Sequence, residues 1–357
     1  MRLERDNSLE KFLLLTLDYE LYGNGSGNVF RHIIEPTNKI LDICKSHNVY
    51  LTIFFEVVEY WKLKEEWDKG NKMGYEENPT SVMIEQIQKA YSEGHDVQLH
   101  LHPQWVDAKW NERRWVVNNK EWRLGDFRKD NPSELYSLIK KGKETLEEII
   151  KPIDSTYECR IIRAGGYNVQ PSYEIVKVMK QLKIVADSSI VPGSVENGSL
   201  SCYDFTTVPT DKGIWECGEN LENKGNNEIF ELPIVTFPIV RFRKYLSWEK
   251  LRSIMQNRRS AKETFNAKTS KKDTKVGKWG RIQYFFGQEF QTWDFCLFSK
   301  SLHKKYLNKI NQQRKRNFFV LVGHPKSFIT GRGLTFLLNE AKNRYTFPTL
   351  SQIIRDV

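Results

Sequence analysis

Two histidines two residues apart are the side chains of this chain best suited to bind a metal. His100 and His102 lie in the run 97–103. In an extended segment, residues i and i+2 point to the same face, so both imidazoles face one way while Leu99 and Leu101 face the other. Two imidazoles on one face at a strand end are half of a transition-metal site. A pair of histidines that only form hydrogen bonds is the alternative interpretation.

Two carboxylates have the same spacing at the end of the first strongly apolar run, residues 13–20. Asp18 and Glu20 share a face there. Two close carboxylates repel each other, and the pKa of one rises unless a cation lies between them. A divalent metal removes this conflict if one carboxylate is its ligand and the other acts as a base. A solvated strand end is the alternative interpretation of this motif.

Three later apolar runs also end in a polar side chain: Arg163, Asp187 and His324. In barrels of alternating strands and helices, catalytic groups come from the C-terminal ends of the strands. Taken singly, these residues could instead form a surface ion pair, a helix cap and a turn. Five such strand ends in one chain favour a single catalytic site.

The order of strand and helix patterns favours a parallel sheet or barrel. Strands are predicted near residues 12–18, 49–55, 97–102, 160–164, 184–187, 229–235 and 318–323. Helices are predicted near residues 32–47, 80–93, 133–150, 171–182, 247–257 and 299–315.

In this order, the motifs resemble those of the polysaccharide deacetylase family, the NodB-homology group of carbohydrate esterases. The resemblance is greatest to a branch found with bacterial surface-polysaccharide genes. It covers residues 12–328. The segments that carry it are 16–20, 94–103, 163–167, Asp187 and 323–325.

The resemblance implies an α/β fold, an incomplete (β/α)7 TIM-like barrel, over a single domain of residues 1–357. Three long loop insertions are expected, at about 103–130, 190–228 and 258–298. The implied activity is metal-dependent hydrolysis of an N-acetyl or similar acyl group on a sugar of a surface polysaccharide or its precursor.

The resemblance also implies a role for each motif residue. Asp18 is the base and Arg163 orients it, whereas His324 is the general acid and Asp187 orients His324 or raises its pKa. The expected ligands of a divalent metal, with zinc the expected ion, are Glu20, His100 and His102. The expected substrate contacts are Gly166, Tyr167 and Trp105.

This chain departs from the family pattern in two places. Tyr19 separates the two acids of the first motif, which are usually adjacent. The family spaces its second-motif histidines four apart, and that count places the partner of His100 at Gln104, not at His102. We take His102 as the third ligand, and Gln104 or a water molecule is the alternative.

Four tryptophans lie in the insertion that follows the predicted ligands, beginning with Trp105. Aromatic faces stack on the C–H faces of sugars, so this segment predicts a wall of a glycan site. Packing of the tryptophans onto the barrel is equally consistent with the sequence, since Trp is usually mostly buried.

Composition favours a soluble, cytoplasmic enzyme, and the resemblance implies that its substrate is a carbohydrate. The 357 residues carry a formal net charge of +10 and five scattered cysteines. The N-terminal residues lack the apolar core of a signal peptide, and no run approaches the roughly 20 apolar residues of a membrane span. Scattered cysteines without CxxC spacing favour reduced thiols.

Basic residues are concentrated in segments 258–281 and 304–316. They could contact a membrane surface or the phosphates of a nucleotide- or lipid-linked substrate, or form only a solvated face. No nucleic-acid module is present among the motifs. Two other functions remain open: a non-catalytic glycan-binding protein on the same barrel, and a non-haem iron oxygenase with a site of two histidines and one carboxylate.

Overall fold

The computed structural model describes residues 10–198, 201–240 and 288–355. The basic segment 258–281, the predicted helix 247–257 and the third insertion up to residue 287 lie outside these ranges. The division of the chain into domains stays a prediction.

Fourteen strands and eight α-helices are present in the described residues. The strands are β1 (Phe12–Tyr19), β2 (Thr52–Glu56), β3 (Asp96–Leu101), β4 (Lys109–Trp110), β5 (Trp115–Val116), β6 (Ile161–Ala164), β7 (Ala186–Asp187), β8 (Val195–Asn197), β9 (Cys202–Asp204), β10 (Trp215–Glu216), β11 (Phe230–Glu231), β12 (Thr236–Val240), β13 (Gln288–Thr292) and β14 (Phe318–Gly323). The helices are α1 (Glu35–Ser46), α2 (Val57–Asp68), α3 (Pro79–Ser92), α4 (Pro132–Ile150), α5 (Tyr173–Gln181), α6 (Lys300–Asn311), α7 (Arg332–Ala341) and α8 (Leu350–Arg355).

Eight strands form the central sheet, in the order β10-β11-β7-β6-β3-β2-β1-β14. Neighbours in this sheet pair in parallel, except that β10 is antiparallel to β11. The sheet curls, because the chain after β11 reaches β14: Ile234 bridges Val320, and the Val235 N–H donates to the Val320 carbonyl at 2.9 Å. The predicted mixed α/β architecture is confirmed, whereas the count of seven strand–helix units stays a prediction.

The register of the parallel strands brings their polar ends to one edge of the sheet. β1 and β14 pair so that Leu17 lies opposite Gly323, one residue before Asp18 and His324 respectively. β3 and β6 pair so that His100 lies opposite Arg163. The apolar residues of β1 and β14 are almost entirely buried, and this burial fixes the register, since a shift by one residue would turn them out of the core.

Three helices were not predicted from the pattern: α2, α7 and α8. α2 follows β2 without a loop, because the Glu56 side chain caps it and accepts hydrogen bonds from Val58 N (2.9 Å) and Glu59 N (3.3 Å). No helix in the described ranges is long and apolar enough to cross a bilayer.

His95, which directly precedes β3, lies at the opposite end of the strands from the polar edge. Its side chain is only 4% exposed, and its Nδ1 accepts a hydrogen bond from Leu51 N at 3.2 Å. Burial lowers the pKa of His95 from 6.5 to about 4. The folded protein therefore holds this imidazole neutral, whereas the unfolded chain binds its proton more tightly.

We expect His95 to make the free energy of unfolding depend on pH. Its contribution is fully present above about pH 6.5 and is lost as the pH falls toward 4. His95→Gln keeps a hydrogen-bond acceptor but cannot titrate. When the pH is lowered from 7 to 4.5, the free energy of unfolding of the variant should fall by about 2–3 kcal/mol less than that of the wild type. Urea unfolding at both pH values measures this, with His47→Gln at the end of α1 as control. An unchanged pH slope in His95→Gln would refute the assignment.

Candidate active site

Three buried side chains converge where β1 and β3 end. The His100 Nε2 atom lies 3.1 Å from Glu20 Oε2, and the His102 Nε2 atom contacts the same carboxylate oxygen. One donor atom from each of these residues lies within 4.8 Å of the others, an arrangement that could hold a metal ion. The spacing of two residues on an extended segment therefore does bring both imidazoles to the same carboxylate.

The hydrogen bonds of the two imidazoles fit a metal. His100 Nδ1 lies 2.9 Å from the Arg163 carbonyl oxygen, which can only accept, so Nδ1 carries the proton and Nε2 keeps its lone pair. His102 Nε2 is buried and has no partner with hydrogen-bond geometry among the described residues, although it contacts Glu20. An orphaned imidazole nitrogen beside a carboxylate and a second free nitrogen is the donor set of a transition-metal site.

Gln104 stands beside His102 and is not a member of this donor cluster. Its side-chain amide nitrogen lies 2.8 Å from His102 Nδ1 and 3.3 Å from the Gly23 carbonyl oxygen. Gln104 therefore lies behind the imidazole and orients the ring. With the amide group turned end for end, its Oε1, which has no partner among the described residues, would accept the Nδ1 proton that a metal-bound His102 carries. Gly165 lies against the other side of this ring, since a Cβ at that position would come within 2.4 Å of His102. A side chain at position 165 would displace the imidazole.

Lys326 is a site residue that the motif spacing did not identify. Its ammonium group donates to Glu20 Oε1 at 2.5 Å and to the Leu21 carbonyl at 2.6 Å. Burial alone would raise the pKa of Glu20, but the charges of Lys326 and His102 and the hydrogen bonds of the two histidines hold it well below its usual range. Glu20 is thus ionised, with one oxygen toward Lys326 and the other toward the imidazoles. The signal was present in the sequence, because Lys326 follows His324 by two residues, as Glu20 follows Asp18.

Asp18, at the end of β1, is the second carboxylate of the site and is 2% exposed. Its Oδ1 accepts a hydrogen bond from Arg163 Nη1 at 2.6 Å, and its Oδ2 lies 3.5 Å from His324 Nε2. Burial would raise the pKa of Asp18, but the charge of Arg163, together with those of His100 and His324, lowers it below its usual range. Asp18 is therefore an ionised carboxylate with one oxygen turned toward His324.

Arg163 is held rigidly beneath Asp18. Its Nε and Nη2 donate to the carbonyl and hydroxyl oxygens of Ser188 at 2.7 and 2.9 Å, and its Nη1 also donates to the Thr16 hydroxyl at 2.9 Å. The guanidinium carbon lies 4.0 Å from the centre of the Phe54 ring. These contacts leave the guanidinium one orientation, with its Nη1 directed at Asp18.

The carboxylate that lies beside His324 Nδ1 belongs to Asp294, not to Asp187. The Asp294 Oδ2 atom lies 3.3 Å from His324 Nδ1, and its Oδ1 accepts from the Cys296 and Leu297 backbone N–H groups at 2.9 and 3.1 Å. Burial would lower the pKa of His324, but the hydrogen bond that it donates to Asp294 and the charge of Asp18 raise it. Asp294 follows β13, within the predicted third insertion. The pattern of regular strand–helix units in the sequence therefore did not indicate it.

Asp187 has a different environment from the one predicted. Its oxygens accept from the Ser189 N–H and hydroxyl, both at 2.8 Å, and its carboxyl group also bonds that of Glu231. Burial raises the pKa of both acids, and the Asp187 charge further raises that of Glu231. A proton shared between the two acids satisfies both. The following residue, Ser188, is a partner of Arg163, so this strand supports the site through Arg163 and not through His324.

Of the expected substrate contacts, Gly166 and Tyr167 lie at the site and Trp105 does not offer a surface. Gly166 and Tyr167 follow β6 with φ values of 57° and 64°, a left-handed turn. The Tyr167 phenol lies near enough to Asp18 and Arg163 for their charges to act on its pKa, which burial raises. Trp105 is 1% exposed and packs edge-to-face against Trp115 at 5.4 Å between ring centres. The packing interpretation of Trp105 is therefore the one that the structure supports.

A cleft of about 260 Å³ lies beside the acid–base pair. Its wall includes Asp294, the partner of His324, and Tyr167. Of the other eleven described residues that line it, six are aromatic or aliphatic and five are polar or charged: Tyr203, Ile239, Phe290, Leu297, Phe298 and Leu302, and Ser194, Glu196, Gln291, Thr292 and Lys305. A small cleft in which apolar surface and convergent polar groups meet is typical of a ligand site, although those are often larger, roughly 300 Å³ and above.

Comparison with known proteins identifies the fold. No protein-family model and no curated protein sequence matches the chain. Among solved structures, it matches a protein described as a polysaccharide deacetylase from Mycobacterium smegmatis, with a TM-score of 0.50, 13% identity and coverage of 97% of this chain and 90% of that chain. At this identity the likeness shows a shared fold alone.

Two further solved structures have lower scores. A GH57 branching enzyme from Thermococcus kodakaraensis has a TM-score of 0.47 and 10% identity, with coverage of 98% of this chain and 71% of that chain. A 4-alpha-glucanotransferase from Thermococcus litoralis has a TM-score of 0.46 and 10% identity, and this chain covers 41% of its length.

The donor cluster predicts which histidines a metal needs. His100→Ala removes a donor, so purified protein should lose its bound divalent metal. His47→Ala, at the end of α1, should retain it. Elemental analysis of the two variants and the wild type measures this. Equal metal content in all three proteins would refute the site.

Gln104 should act on metal affinity through His102. Gln104→Leu removes the partner of His102 Nδ1, and loss of such an outer partner typically weakens metal binding about 10- to 100-fold. Gln104→Glu supplies a stronger acceptor for an Nδ1 proton and should restore or exceed the wild-type affinity. Competition with a coloured chelator gives the dissociation constants. If both variants lose metal completely, Gln104 is itself a ligand.

Proposed function

We propose that this protein is a metal-dependent hydrolase that removes an N-acetyl or similar acyl group from a sugar of a surface polysaccharide or its precursor. The observation that carries the proposal is the placement of Asp18 and His324. An ionised carboxylate fixed by Arg163 lies 3.5 Å from a histidine fixed by Asp294, and both adjoin the Glu20–His100–His102 cluster. A glycan-binding protein or an iron oxygenase does not need this acid–base pair.

Glu20, His100 and His102 would hold the divalent ion, with zinc the expected ion. A bound divalent ion polarises the substrate carbonyl and acidifies its water ligand. Three ligands from the protein leave a fourth position of a tetrahedral site for water or substrate, as in catalytic zinc sites.

Asp18 would act as the general base. Its pKa lies below the usual range, so it is ionised at neutral pH and can accept the proton of the attacking water. Its Oδ1 is bound to Arg163, which leaves Oδ2 for the proton. Arg163 therefore both orients the base and keeps it ionised.

His324 would act as the general acid. The hydrogen bond to Asp294 and the charge of Asp18 raise its pKa, which favours the protonated form that can give a proton to the leaving amine. Backbone N–H groups near Gly166 and Tyr167 would help to hold the developing oxyanion. Acetate and a free amino sugar would be the products.

Two further observations support a cytoplasmic location and a carbohydrate substrate. The five cysteines are free thiols: Cys44, Cys159, Cys202, Cys217 and Cys296. Free thiols are usual in the cytoplasm, where reducing conditions prevent disulfide formation. The aromatic cleft beside Asp294 supports a carbohydrate substrate, because aromatic rings present the apolar surface on which sugar rings pack.

Substitution of the base should separate catalysis from metal binding. Asp18→Asn should lower kcat for acetate release from an N-acetylated sugar by about 10²- to 10⁴-fold while metal content stays at the wild-type level. Acetate release from N-acetylglucosamine oligomers and from UDP-N-acetylglucosamine, with zinc present, measures the rate. Asp107→Asn, which alters a half-exposed carboxylate outside the site, is the control.

His324→Gln covers the case in which Asp18→Asn fails to fold, because His324 makes no contact with the buried guanidinium. It should also lose kcat and keep its metal. Loss of metal in a folded Asp18→Asn variant would make Asp18 a ligand. Wild-type activity in both variants would refute the proposed acid–base pair.

A further inference from the structure

The chain between Asp294 and Glu340 contains no acidic residue. This segment includes the whole of α6, which carries Lys300, Lys304, Lys305 and Lys309. An acidic residue one helical turn from a lysine, at i+4, would partly neutralise its charge. α6 has no such acids, so its positive charge must be balanced by solvent ions or by a bound anion.

Lys305 joins the cleft at the site to a second depression. It lines the 260 Å³ cleft together with Asp294 and Tyr167. It also lines a groove of about 400 Å³ along α6, with Lys304, Lys309 and the polar side chains of Ser301, Asn308 and Gln312. The cleft that contains Asp294 and the groove along α6 therefore adjoin each other at Lys305.

Like charges are held close together in this groove. Lys305 and Lys309 are separated by one helical turn and so lie on the same face of α6. Burial lowers the pKa of Lys309, and the neighbouring charge of Lys305 lowers it further. The Lys309 ammonium group lies over the rings of Phe237 and Tyr306, at 4.8 and 5.6 Å from the ring centres, and donates to the Pro238 carbonyl oxygen at 3.4 Å.

Neither Lys304 nor Lys305 forms an ion pair with a carboxylate of the described residues, whereas Lys315, just beyond the helix, pairs with Asp211 at 3.4 Å. Of the two acids in the cleft, Asp294 is engaged by His324 and two backbone N–H groups, and Glu196 makes no ion pair with Lys305. An anion between Lys305 and Lys309 would relieve their mutual repulsion.

We propose that Lys305 and its neighbours Lys304 and Lys309 bind the diphosphate of a substrate whose sugar lies in the cleft. The inference rests on the proposed function for the identity of the sugar. One carboxylate would suit a single lysine, whereas a row of lysines along one helix face suits a group with at least two negative charges. A nucleotide-linked and a lipid-linked sugar share this diphosphate.

Two single substitutions on the same helix test the proposal. Lys305→Gln removes a charge that lines both the cleft and the groove. Lys300→Gln removes the same charge from an exposed residue of α6 that lines neither. The probes are UDP-N-acetylglucosamine and the neutral disaccharide of N-acetylglucosamine, and calorimetry gives Kd for each with the metal-loaded protein.

Lys305→Gln should weaken binding of UDP-N-acetylglucosamine by about tenfold or more, as loss of a charge-assisted hydrogen bond predicts. It should change binding of the neutral disaccharide less than twofold, and Lys300→Gln should change neither. Equal weakening of both ligands by Lys305→Gln, or equal effects of the two substitutions, would overturn the proposal. The lysines would then be a solvated face only.

A third probe distinguishes the two carriers. N-acetylglucosamine linked through diphosphate to a short isoprenyl chain presents the same charge without a nucleoside. The proposal is supported if either diphosphate ligand binds more tightly than the disaccharide. Whichever of the two binds more tightly then shows whether the natural carrier is a nucleoside or a lipid. If neither binds more tightly than the disaccharide, the proposal is wrong. Because binding needs no turnover, a protein that binds the diphosphate sugar and releases no acetate would refute the deacetylase function and leave this inference standing.

Discussion

The contact between Arg163 and Asp18 is the interaction on which the rest of the site depends. Arg163 is completely buried, so its charge must be matched inside the protein, and Asp18 is the carboxylate that matches it. Loss of one partner from a buried pair typically costs about 3–5 kcal/mol, because the other charge is left without compensation. The same residue accepts from His100 through its carbonyl oxygen and binds Ser188 through its side chain. One arginine thereby fixes the carboxylate of Asp18, the imidazole of His100 and the segment that carries Ser188.

Parallel strand pairing explains why distant residues meet with so few loop contacts. Each chemically active side chain lies at the end of an apolar strand whose register is set by burial. The sheet places His100 and Arg163 at one level, and Asp18 two residues earlier, at the level of Gln98 across β2. His102 continues the extended backbone by one residue beyond Leu101, with φ −110° and ψ 92°, before the chain turns at Pro103. The turn comes late enough for both imidazoles to reach Glu20.

Much of the site was predictable because a period of two residues in an extended segment is a local property. The shared face of Asp18 and Glu20, and that of His100 and His102, needed no knowledge of distant contacts. The partner of His324 could not be predicted in this way, since Asp187 and Asp294 both follow strand-like segments and only the closure of the curled sheet decides which one approaches. Trp105 shows a similar limit: the sequence states that an aromatic ring is present, whereas its burial against Trp115 depends on the folding of a loop.

The ion pair between Lys326 and Glu20 has a consequence for the reactivity of the site. A carboxylate that shares its negative charge with an ammonium group is a weaker electron donor than a free one. Glu20 would therefore neutralise a bound cation only in part, and the two imidazoles add no charge. The centre would retain most of the Lewis acidity of the naked ion, in contrast to a site built from several unpaired carboxylates.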